Sequence, residues 1–299
     1  MREVSEAEQQ PLPGKPSWLK VRFPTHSNFF RVSETLRKQG LHTICRSARC
    51  PNVAECWSEN TATFLLLGDV CTRACAFCAV NKGEPGPRDD SEPLRVAEAA
   101  AALGLTYVVL TSVTRDDLPD GGASTFLRTV ASLREKIPGV RVETLIPDFQ
   151  GDESALETVI AARPEVLNHN LEVPEALYPA IGRPEHRYRR SLRLLEAARG
   201  LGAVTKSGLM LGLGETGEDI LRSLSDLRGA GCLLLTMGQY LQPSLAHVAV
   251  RKYYSPGEFA LWKRTALGLG FRAVEAGPLV RSSYRARRMA DRPAETREA

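Results

Sequence analysis

The amino-acid sequence predicts an α/β fold, namely a partial (β/α)6 barrel with N-terminal and C-terminal extensions. Three observations lead to this prediction: short apolar runs rich in β-branched residues, amphipathic stretches of helical length between them, and glycines at or near the ends of those stretches. Strands that alternate with helices of about 10–15 residues are typical of βαβ units and of a parallel sheet.

The elements can be placed in order along the chain. The predicted strands cover Thr63–Leu67, Tyr107–Thr111, Val140–Leu145, Glu165–Asn168, Leu209–Leu213, Cys232–Met237 and Phe271–Val274. The predicted helices cover Pro93–Leu103, Ala123–Ile137, Ser154–Arg163, Tyr188–Gly200, Glu218–Gly229 and Pro256–Gly268. Six strand–helix units are too few for an eight-fold barrel, so an open or partial barrel fits the count, and a doubly wound sheet is the alternative. In either arrangement, functional residues gather at the carboxyl ends of the strands.

Composition and charge limit the possible functions. The 299 residues include 43% hydrophobic and 25% charged side chains, which is ordinary for a globular protein with a sizeable core. The formal net charge is only +4, which argues against nucleic-acid binding because no long basic stripe accompanies it. The most basic stretch is Arg281–Arg292, and we expect its outer part to be a solvated tail.

The cysteines indicate metal binding in a reducing compartment. The polar, proline-containing segment Met1–Trp18 lacks the apolar core of a signal peptide, and no apolar run is long enough to span a bilayer. We therefore expect a cytoplasmic protein whose cysteines are metal ligands or catalytic thiols rather than disulfides. Six of the seven cysteines lie between residues 45 and 78, whereas Cys232 stands alone in an apolar run and is expected to be a buried core residue.

The first cysteine motif follows the first predicted strand directly. Cys71, Cys75 and Cys78 have the spacing C-x3-C-x2-C, which allows one loop to bring three thiolates to a [4Fe–4S] cluster. Because such a cluster has four irons and no fourth cysteine lies nearby, one iron remains free to chelate a substrate. The alternative is a structural zinc site, but such sites usually close with four ligands and often pair C-x2-C units.

This motif, with Phe77 just before its last cysteine, resembles the signature of the radical S-adenosylmethionine superfamily. The resemblance implies that the open iron binds the amino and carboxylate groups of the methionine moiety. It also implies that an electron from the cluster cleaves the sulfonium to give a 5′-deoxyadenosyl radical, which abstracts hydrogen from unactivated carbon. S-Adenosylmethionine is therefore an expected cofactor.

A second cysteine motif lies just upstream of the first. Cys45, Cys50 and Cys56 have the spacing C-x4-C-x5-C, which again supplies three ligands and leaves the set one short of closure. From the residues alone, this motif is a second cluster site, a zinc site completed from elsewhere in the chain, or a group of three packed thiols.

The two motifs together resemble those of lipoyl synthases, and the resemblance extends from about Ser33 to Ala286. The segments that carry it are Leu41–Cys45, Thr111–Gly122, Glu143–Phe149, Lys206–Glu215, Met237–Pro243 and Arg281–Ala286. The segment Leu171–Arg183 differs from the usual run of that family, so the resemblance does not imply the details of this loop.

The resemblance implies a sulfur-inserting transferase with two [4Fe–4S] clusters. In lipoyl synthases, radicals activate C6 and C8 of an octanoyl chain attached to a lysine of a carrier domain, and the second cluster is consumed as the sulfur donor. The implied partners are octanoylated lipoyl carrier domains (2-oxoacid dehydrogenase E2 subunits and the glycine cleavage H protein) and an electron donor such as ferredoxin or flavodoxin. Neither a nucleic-acid partner nor a membrane span is expected.

The resemblance also implies three parts of the chain. Residues 1–60 form an extension with the second-motif cysteines, residues 61–270 form a radical-SAM-type partial barrel, and residues 271–299 form an extension that covers it. In the family this last segment returns a serine oxygen to the second cluster, and we expect Ser283 rather than Ser282 to be that ligand. A hydroxyl oxygen matches cluster iron less well than thiolate does, which suits a cluster that is dismantled.

Further residues near strand ends are candidates for cofactor contacts. Gly212 and Gly214 resemble the adenine-binding strand of the superfamily, because glycine lets backbone approach a planar ligand; a tight strand–helix turn is the alternative. Glu143 is polar in an apolar strand, and the superfamily resemblance makes it a candidate for ribose or methionine contacts. Asn168 ends the next strand in the same way, with a core role as the alternative. Arg115 follows the second strand and either reaches the charged end of the cofactor or forms an ordinary ion pair.

Other functions fit parts of this pattern. A dual-cluster methylthiotransferase acting on RNA or ribosomal protein usually carries additional domains, which we do not expect in a chain of this length. A ferredoxin-like electron carrier has two closed clusters in a small chain, whereas both motifs here lack one ligand. The biotin-forming sulfur inserter shows no resemblance to the region upstream of Cys71.

Overall fold

The computed structural model describes residues 14–21, 26–59 and 61–292. Its strands are β1 (His42–Thr43), β2 (Thr63–Leu66), β3 (Val70–Cys71), β4 (Asn81–Lys82), β5 (Tyr107–Ser112), β6 (Arg141–Leu145), β7 (Val166–Asn168), β8 (Thr205–Leu211), β9 (Leu234–Gln239) and β10 (Ala273–Gly277). Its α-helices are α1 (Ser27–Lys38), α2 (Ile44–Ser47), α3 (Val53–Ser58), α4 (Glu92–Ala102), α5 (Ala123–Lys136), α6 (Glu153–Ala161), α7 (His186–Gly200), α8 (Gly217–Gly229), α9 (Pro256–Gly268) and α10 (Ala286–Ala290). Short 3-10 helices cover Ser17–Leu19, Phe149–Gly151, Glu175–Leu177 and Pro179–Ile181.

The main sheet has eight strands in the order β1-β2-β5-β6-β7-β8-β9-β10, and β3 pairs with β4 in a separate ribbon. Only β1 is antiparallel to its neighbour; the other pairs of the main sheet are parallel. The seven parallel strands follow chain order, with one of the helices α4 to α9 between each consecutive pair. A doubly wound sheet reverses its order at a switch point, and this sheet does not. The predicted partial (β/α)6 barrel is confirmed, and β1 and β10 form the two edges of the open sheet.

Capping residues explain where two of the helices begin. Thr216 accepts a hydrogen bond from the Asp219 N–H at the start of α8, while the Asp219 carboxylate accepts one from the Thr216 N–H. Ser255 and Glu258 make the same reciprocal pair at the start of α9. Each capping box satisfies backbone donors that the first turn of a helix leaves without an acceptor. These helices therefore begin within one residue of the bounds predicted from sequence.

Three predicted strands, β8, β9 and β10, are shifted along the chain, and β10 begins at Ala273 rather than Phe271. β8 begins at Thr205 rather than Leu209, because Thr205, Lys206 and Ser207 are fully buried although they are polar. β9 begins at Leu234, so Cys232 precedes the strand instead of beginning it, although it is fully buried as expected. A prediction that places strands by apolar residues alone misses polar residues that are buried against partners inside the sheet.

The hydrophobic core lies between the sheet and its helices and has two main parts. Phe64, Leu110 and Phe126 belong to the part that packs around β2, β5 and α5. Tyr188 and Phe259 belong to the part that packs around β8, β9 and the helices α7 to α9. Burying one large apolar side chain contributes about 1.5–3 kcal/mol, so this core holds the strand ends in place.

Segments on either side of the parallel sheet extend it. From the N-terminal side, β1 pairs with β2, and α1 packs on α3 with the rings of Phe29 and Trp57 5.3 Å apart. From the C-terminal side, β10 lies beyond residue 270, so the sheet includes the start of the segment expected to be an extension. No helix in the described part of the chain has the length and apolar character needed to cross a membrane.

Candidate functional site

Loops at the carboxyl ends of the parallel strands enclose a cavity of about 300 Å³. Five motif cysteines and one predicted serine line this central cavity: Cys45, Cys50, Cys71, Cys75, Cys78 and Ser283. The sixth cysteine, Cys56, lines a smaller cavity of about 20 Å³ together with Cys45, Cys50 and Ser283. The fold thus brings both cysteine motifs to one place.

The first-motif loop, residues 71–78, is held by backbone hydrogen bonds to neighbouring loops. The Thr72 N–H donates to the Thr114 carbonyl at 3.1 Å, and the Ala76 N–H donates to the Ile181 carbonyl at 2.9 Å. The sulfur of Cys71 accepts hydrogen bonds from the backbone N–H groups of Arg73 and Thr114, both at 3.4 Å. Donors of this kind stabilise a thiolate and are typical of the surroundings of iron–sulfur ligands.

Arg73 ties the same loop to the strand ends beside it. Its guanidinium pairs with Asp116 after β5 at 2.7 Å and with Asp148 after β6 at 2.5 Å. Although burial opposes ionisation, the charge of Arg73 holds the pKa of Asp148 well below its usual range. Asp148 also pairs with Arg190 of α7 at 3.4 Å. The ion pairs join the cysteine loop to three separate elements.

The second motif lies on the N-terminal helices α2 and α3. Burial raises the pKa of the Cys45, Cys50 and Cys56 thiols, and that of Cys56 reaches about 12. Repulsion from Cys45 is the second cause for both Cys50 and Cys56, so the three sulfur atoms lie close enough to interact. Without a bound cation these thiols stay protonated, and binding of a metal cluster releases their protons.

The two candidate serines point to different sides. The Ser283 hydroxyl accepts a hydrogen bond from the Thr63 hydroxyl at 2.9 Å and lines the small cavity with the three second-motif cysteines. The Ser282 hydroxyl instead exchanges hydrogen bonds with the Asn170 side chain at 2.8 and 3.0 Å. The segment is anchored nearby, because the Tyr284 hydroxyl donates to Glu55 of α3 at 2.9 Å. Of the two serines, only Ser283 lines the small cavity with the second-motif cysteines.

The donor set at both motifs fits iron–sulfur clusters. Trp57 buries an indole N–H that has no hydrogen-bond partner, yet that group lies close enough to Cys45 to favour its thiolate. Among the described residues, no three Cys, His, Asp or Glu side chains are arranged to hold a single metal ion. The thiolates of a [4Fe–4S] cluster bind different irons, so they do not converge on one point.

Glu143 and Asn168, which are predicted cofactor contacts, line neither of the two large cavities and have partners inside the protein. Glu143 is fully buried and pairs with Lys206 of β8, with 2.7 Å between Oε1 and Nζ. The Tyr107 hydroxyl donates to the same carboxylate at 3.1 Å, and the Asn168 side-chain amide approaches it at 3.4 Å. This charged residue inside an apolar strand is paired with a cation across the sheet, as a buried charge requires.

Gly212, Gly214 and Arg115 make the local contacts that the alternative interpretations predict. A Cβ atom on Gly212 would lie 2.1 Å from the side-chain nitrogen of Gln239, so this glycine makes room for a side chain. The N–H of Gly212 donates to Glu215 at 2.6 Å within a tight turn that also contains Gly214, whose φ is +115°. Arg115 pairs with Asp117, two residues away, at 2.8 Å. None of the three predicted residues lines the cavities described here.

One glycine in β8 and one in β9 line a cavity, unlike the predicted glycines Gly212 and Gly214. Gly208 of β8 and Gly238 of β9 line a second cavity of about 400 Å³. Phe77, predicted as a cofactor contact, and Cys78 line both this cavity and the central one. The glycine-bearing turn at Gly212 and Gly214 follows β8 as predicted, but neither of its glycines lines this cavity.

Sequence reasoning missed the charged side chains of the central cavity. Its lining includes Arg73, Asp148, Arg183 and Arg187. Arg73 lies inside the cysteine motif and Asp148 follows a predicted strand end, so their positions carried a signal that was not used. Arg183 and Arg187 lie in the loop and first turn before the body of α7, where nothing in the sequence pattern points to a site.

Comparison with known proteins decides the family. The radical SAM superfamily model matches residues 65–227, and the model for the N-terminal domain of lipoyl synthase matches residues 3–50. A lipoyl synthase from Rubrobacter xylanophilus is 52% identical over 275 residues, which are 91% of this chain and 85% of that protein. A lipoyl synthase from Thermus thermophilus is 51% identical over 292 residues, 96% of this chain and 90% of that protein. The chain belongs to the lipoyl synthase family.

Solved structures agree with the fold. Methylornithine synthase has a TM-score of 0.53 at 14% identity and covers 84% of this chain and 82% of that one. SuiB from Streptococcus suis, solved with bound S-adenosylmethionine, has a TM-score of 0.53 at 12% identity, over 80% of this chain and 52% of that one. As a lipoyl synthase family member, the chain is a radical SAM enzyme whose cofactors are S-adenosylmethionine and [4Fe–4S] clusters.

Proposed function

We propose that this protein inserts two sulfur atoms, at C6 and C8 of an octanoyl chain carried on a lysine of a lipoyl carrier domain. The observation that supports this reaction most strongly is the central cavity, because cysteines of both motifs line it. Hydrogen abstraction and sulfur delivery have to occur at the same two carbons in turn. A single chamber between the two motifs allows this without release of the chain.

Each motif has its own role in this proposal. Cys71, Cys75 and Cys78 hold the cluster that binds S-adenosylmethionine; when bound, the two supply the one-electron chemistry that removes hydrogen from an unactivated C–H bond. The second-motif cysteines and Ser283 hold the cluster that is consumed as sulfur source. Phe77 lines the wall between the central and second cavities. We propose it as a cofactor contact.

Apolar side chains of the central cavity suit the substrate. Leu65, Val113, Leu145 and Ile146 contribute to its lining from the ends of β2, β5 and β6. An uncharged alkyl chain is stabilised by such a wall, which also excludes water from the reacting carbons. The peptide that carries the chain remains outside, so recognition of the chain and recognition of the carrier are separate events.

The finer assignments of partners and location follow from the same chemistry. We assign as substrates the octanoylated E2 subunits of 2-oxoacid dehydrogenases and the glycine cleavage H protein, and as electron donor a ferredoxin or flavodoxin. Six cysteines that act as cluster ligands need a reducing compartment, so we assign the protein to the cytoplasm. We propose a division into a cysteine-bearing N-terminal extension (1–60), the partial barrel (61–270) and a C-terminal segment (271–299) whose first strand, β10, completes the sheet of the barrel.

The test separates radical generation from sulfur donation. After anaerobic reconstitution, turnover on an octanoyl-lysine peptide is followed by the amount of 5′-deoxyadenosine and by the mass of the peptide. Cys75→Ala should form no 5′-deoxyadenosine, because one ligand of the radical cluster is lost. Cys50→Ala should form 5′-deoxyadenosine but no dithiolated peptide.

Cys232→Ala is the matched control, because Cys232 is a buried cysteine that lies in neither motif. It should retain about eight irons per chain and both products. Normal 5′-deoxyadenosine formation by Cys75→Ala, or dithiolated peptide from Cys50→Ala, contradicts the assignment of the motif concerned.

A further inference from the structure

One thiol of the first motif has a charged hydrogen-bond partner. The Nε–H group of Arg183 donates to the sulfur of Cys75 at 3.3 Å. The guanidinium also pairs with Glu172, with 3.7 Å between Nη2 and Oε1, and both side chains are less than one-fifth exposed. A charge-assisted bond to sulfur that is shielded from water is stronger than a neutral or exposed one.

The surroundings keep Arg183 in this position. Its guanidinium lies over the ring of Phe77, 5.4 Å from the centroid, and the preceding Gly182 has a left-handed conformation with φ of +71°. Ile181, one residue earlier, accepts the hydrogen bond from Ala76 inside the cysteine loop. The segment before α7 is therefore attached to the cysteine loop at two points, one through backbone and one through Arg183.

Glu172 is fixed independently of Arg183. Its N–H donates to the Gly208 carbonyl at 3.0 Å, and its carbonyl accepts from the Met210 N–H at 2.6 Å, so its backbone adds a short bridge to β8. The side chain lines both large cavities. A negative charge thus stays near the guanidinium even if the loop that carries Arg183 shifts.

We propose that Arg183 is a positioning residue that acts through Cys75: its hydrogen bond to this ligand raises the reduction potential of the radical cluster, and Glu172 moderates the effect. The inference rests on the proposed role of Cys71, Cys75 and Cys78. Reduction adds one negative charge to the cluster. A positive N–H donor at a ligand sulfur therefore stabilises the reduced form more than the oxidised form.

The two partners have opposite expected effects. Arg183→Gln removes the charge and the Nε–H donor, so the equilibrium constant for one-electron reduction should fall about tenfold, which is a potential about 59 mV lower. Glu172→Gln leaves the guanidinium without its counter-charge, so reduction should become about threefold more favourable, or about 28 mV higher. Arg183→Lys keeps a charge but loses the planar donor, and its potential should lie between those of wild type and Arg183→Gln.

The experiment is a redox titration of the full reconstituted enzyme, followed by electron paramagnetic resonance. The radical cluster is identified as the reduced cluster whose spectrum changes when S-adenosylmethionine is added. Arg189→Gln and Glu175→Gln are matched controls, because they break a pair in the same region, 2.9 Å long, whose side chains are 54% and 34% exposed. Neither control should shift the potential.

Opposite shifts for Arg183→Gln and Glu172→Gln support the proposal. Potential shifts of the same sign, or no shift in either variant, overturn it. If the two residues had only a structural role, the loss of a positive and of a negative charge would not move the potential in opposite directions. If Arg183→Gln fails to retain iron, Glu172→Gln decides: a raised potential supports the proposal and an unchanged one overturns it. A wild-type enzyme with no cluster that responds to S-adenosylmethionine instead contradicts the proposed function itself.

Discussion

Replacement of Lys206 by methionine tests the buried ion pair that crosses the sheet. Lys206 and Glu143 are both 0% exposed, and Nζ lies 2.7 Å from Oε1. Methionine fills a similar volume without charge, so Lys206→Met leaves the Glu143 carboxylate with its two neutral donors and no cation. Breaking a buried pair in this way costs about 3–5 kcal/mol, because an uncompensated charge stays in the interior.

The corresponding change in melting temperature can be calculated. Unfolding entropy is about 2.1 cal/mol/K per residue. For the 299 residues of this chain, a loss of about 3–5 kcal/mol therefore lowers the melting temperature by about 5–8 °C. The assay is anaerobic thermal unfolding followed by circular dichroism at neutral pH. Lys38→Met is the control, because it breaks an exposed helix pair with Glu34 that contributes little to stability and should leave the melting temperature almost unchanged.

A second substitution separates charge from packing. In Lys206→Met combined with Glu143→Gln, the glutamine oxygen still accepts from Tyr107, but no charge remains, so most of the lost stability should return. The reasoning is refuted if Lys206→Met melts within about 2 °C of wild type, or if the double variant melts as low as the single one. Glu143→Gln alone tests whether Glu143 also has a role in catalysis. It should cleave S-adenosylmethionine normally per folded molecule, whereas a selective loss of cleavage would restore Glu143 as a cofactor contact.

Two further predictions concern the site. Ser283→Ala should leave 5′-deoxyadenosine formation unchanged but sharply reduce the dithiolated peptide, whereas Ser282→Ala should retain both; equal yields of dithiolated peptide from wild type and Ser283→Ala would remove serine ligation there. Asp148→Asn should lower the free energy of unfolding at neutral pH by about 1.5–3 kcal/mol, because its pairs with Arg73 and Arg190 are lost. The pKa of Asp148 is depressed in the folded protein, so its contribution is present above the ordinary carboxyl pKa of about 3.9 and disappears as the pH falls through the folded value. The stability difference between variant and wild type should therefore shrink in acid, and a difference that is constant with pH would contradict the ion-pair assignment.

The fold was predictable because its elements are local and regular. Strands and helices alternate with little irregularity, and capping residues such as Thr216 and Ser255 lie next to the helices they start. The count of units then favoured a partial barrel over a closed one, and the strand order confirms it. What failed was the placement of β8, because a strand whose first three residues are polar and buried gives no apolar signal.

The cysteines were predictable for a different reason. Both motifs are compact in sequence, and each lies on one loop or helix pair, so spacing alone shows that the thiols can meet. Ser283 lies far from Cys45 in the chain, and only the family resemblance joined the two. The structure adds the physical reason: Asn52 and Glu55 lie within the second motif, between Cys50 and Cys56. They bind the backbone of Leu279 and the hydroxyl of Tyr284, and so hold the C-terminal segment beside the motif.

Which partner a buried charged residue meets depends on the register of the strands, and a single sequence does not show that register. Glu143 is polar inside an apolar strand, and that observation fits a ligand contact as well as a partner across the sheet. Leu145 pairs with Asn168, and Asn168 pairs with Lys206, so Lys206 is level with Leu145 two strands away. Glu143 lies two residues before Leu145 on β6, so the two side chains are on the same face of the sheet. Lys206 can therefore reach Glu143 across β7. A shift of one residue in either pairing would turn Lys206 to the opposite face and leave Glu143 without a cation. The choice between a cofactor contact and an internal ion pair is therefore made by strand pairing, and the residue type alone decides nothing.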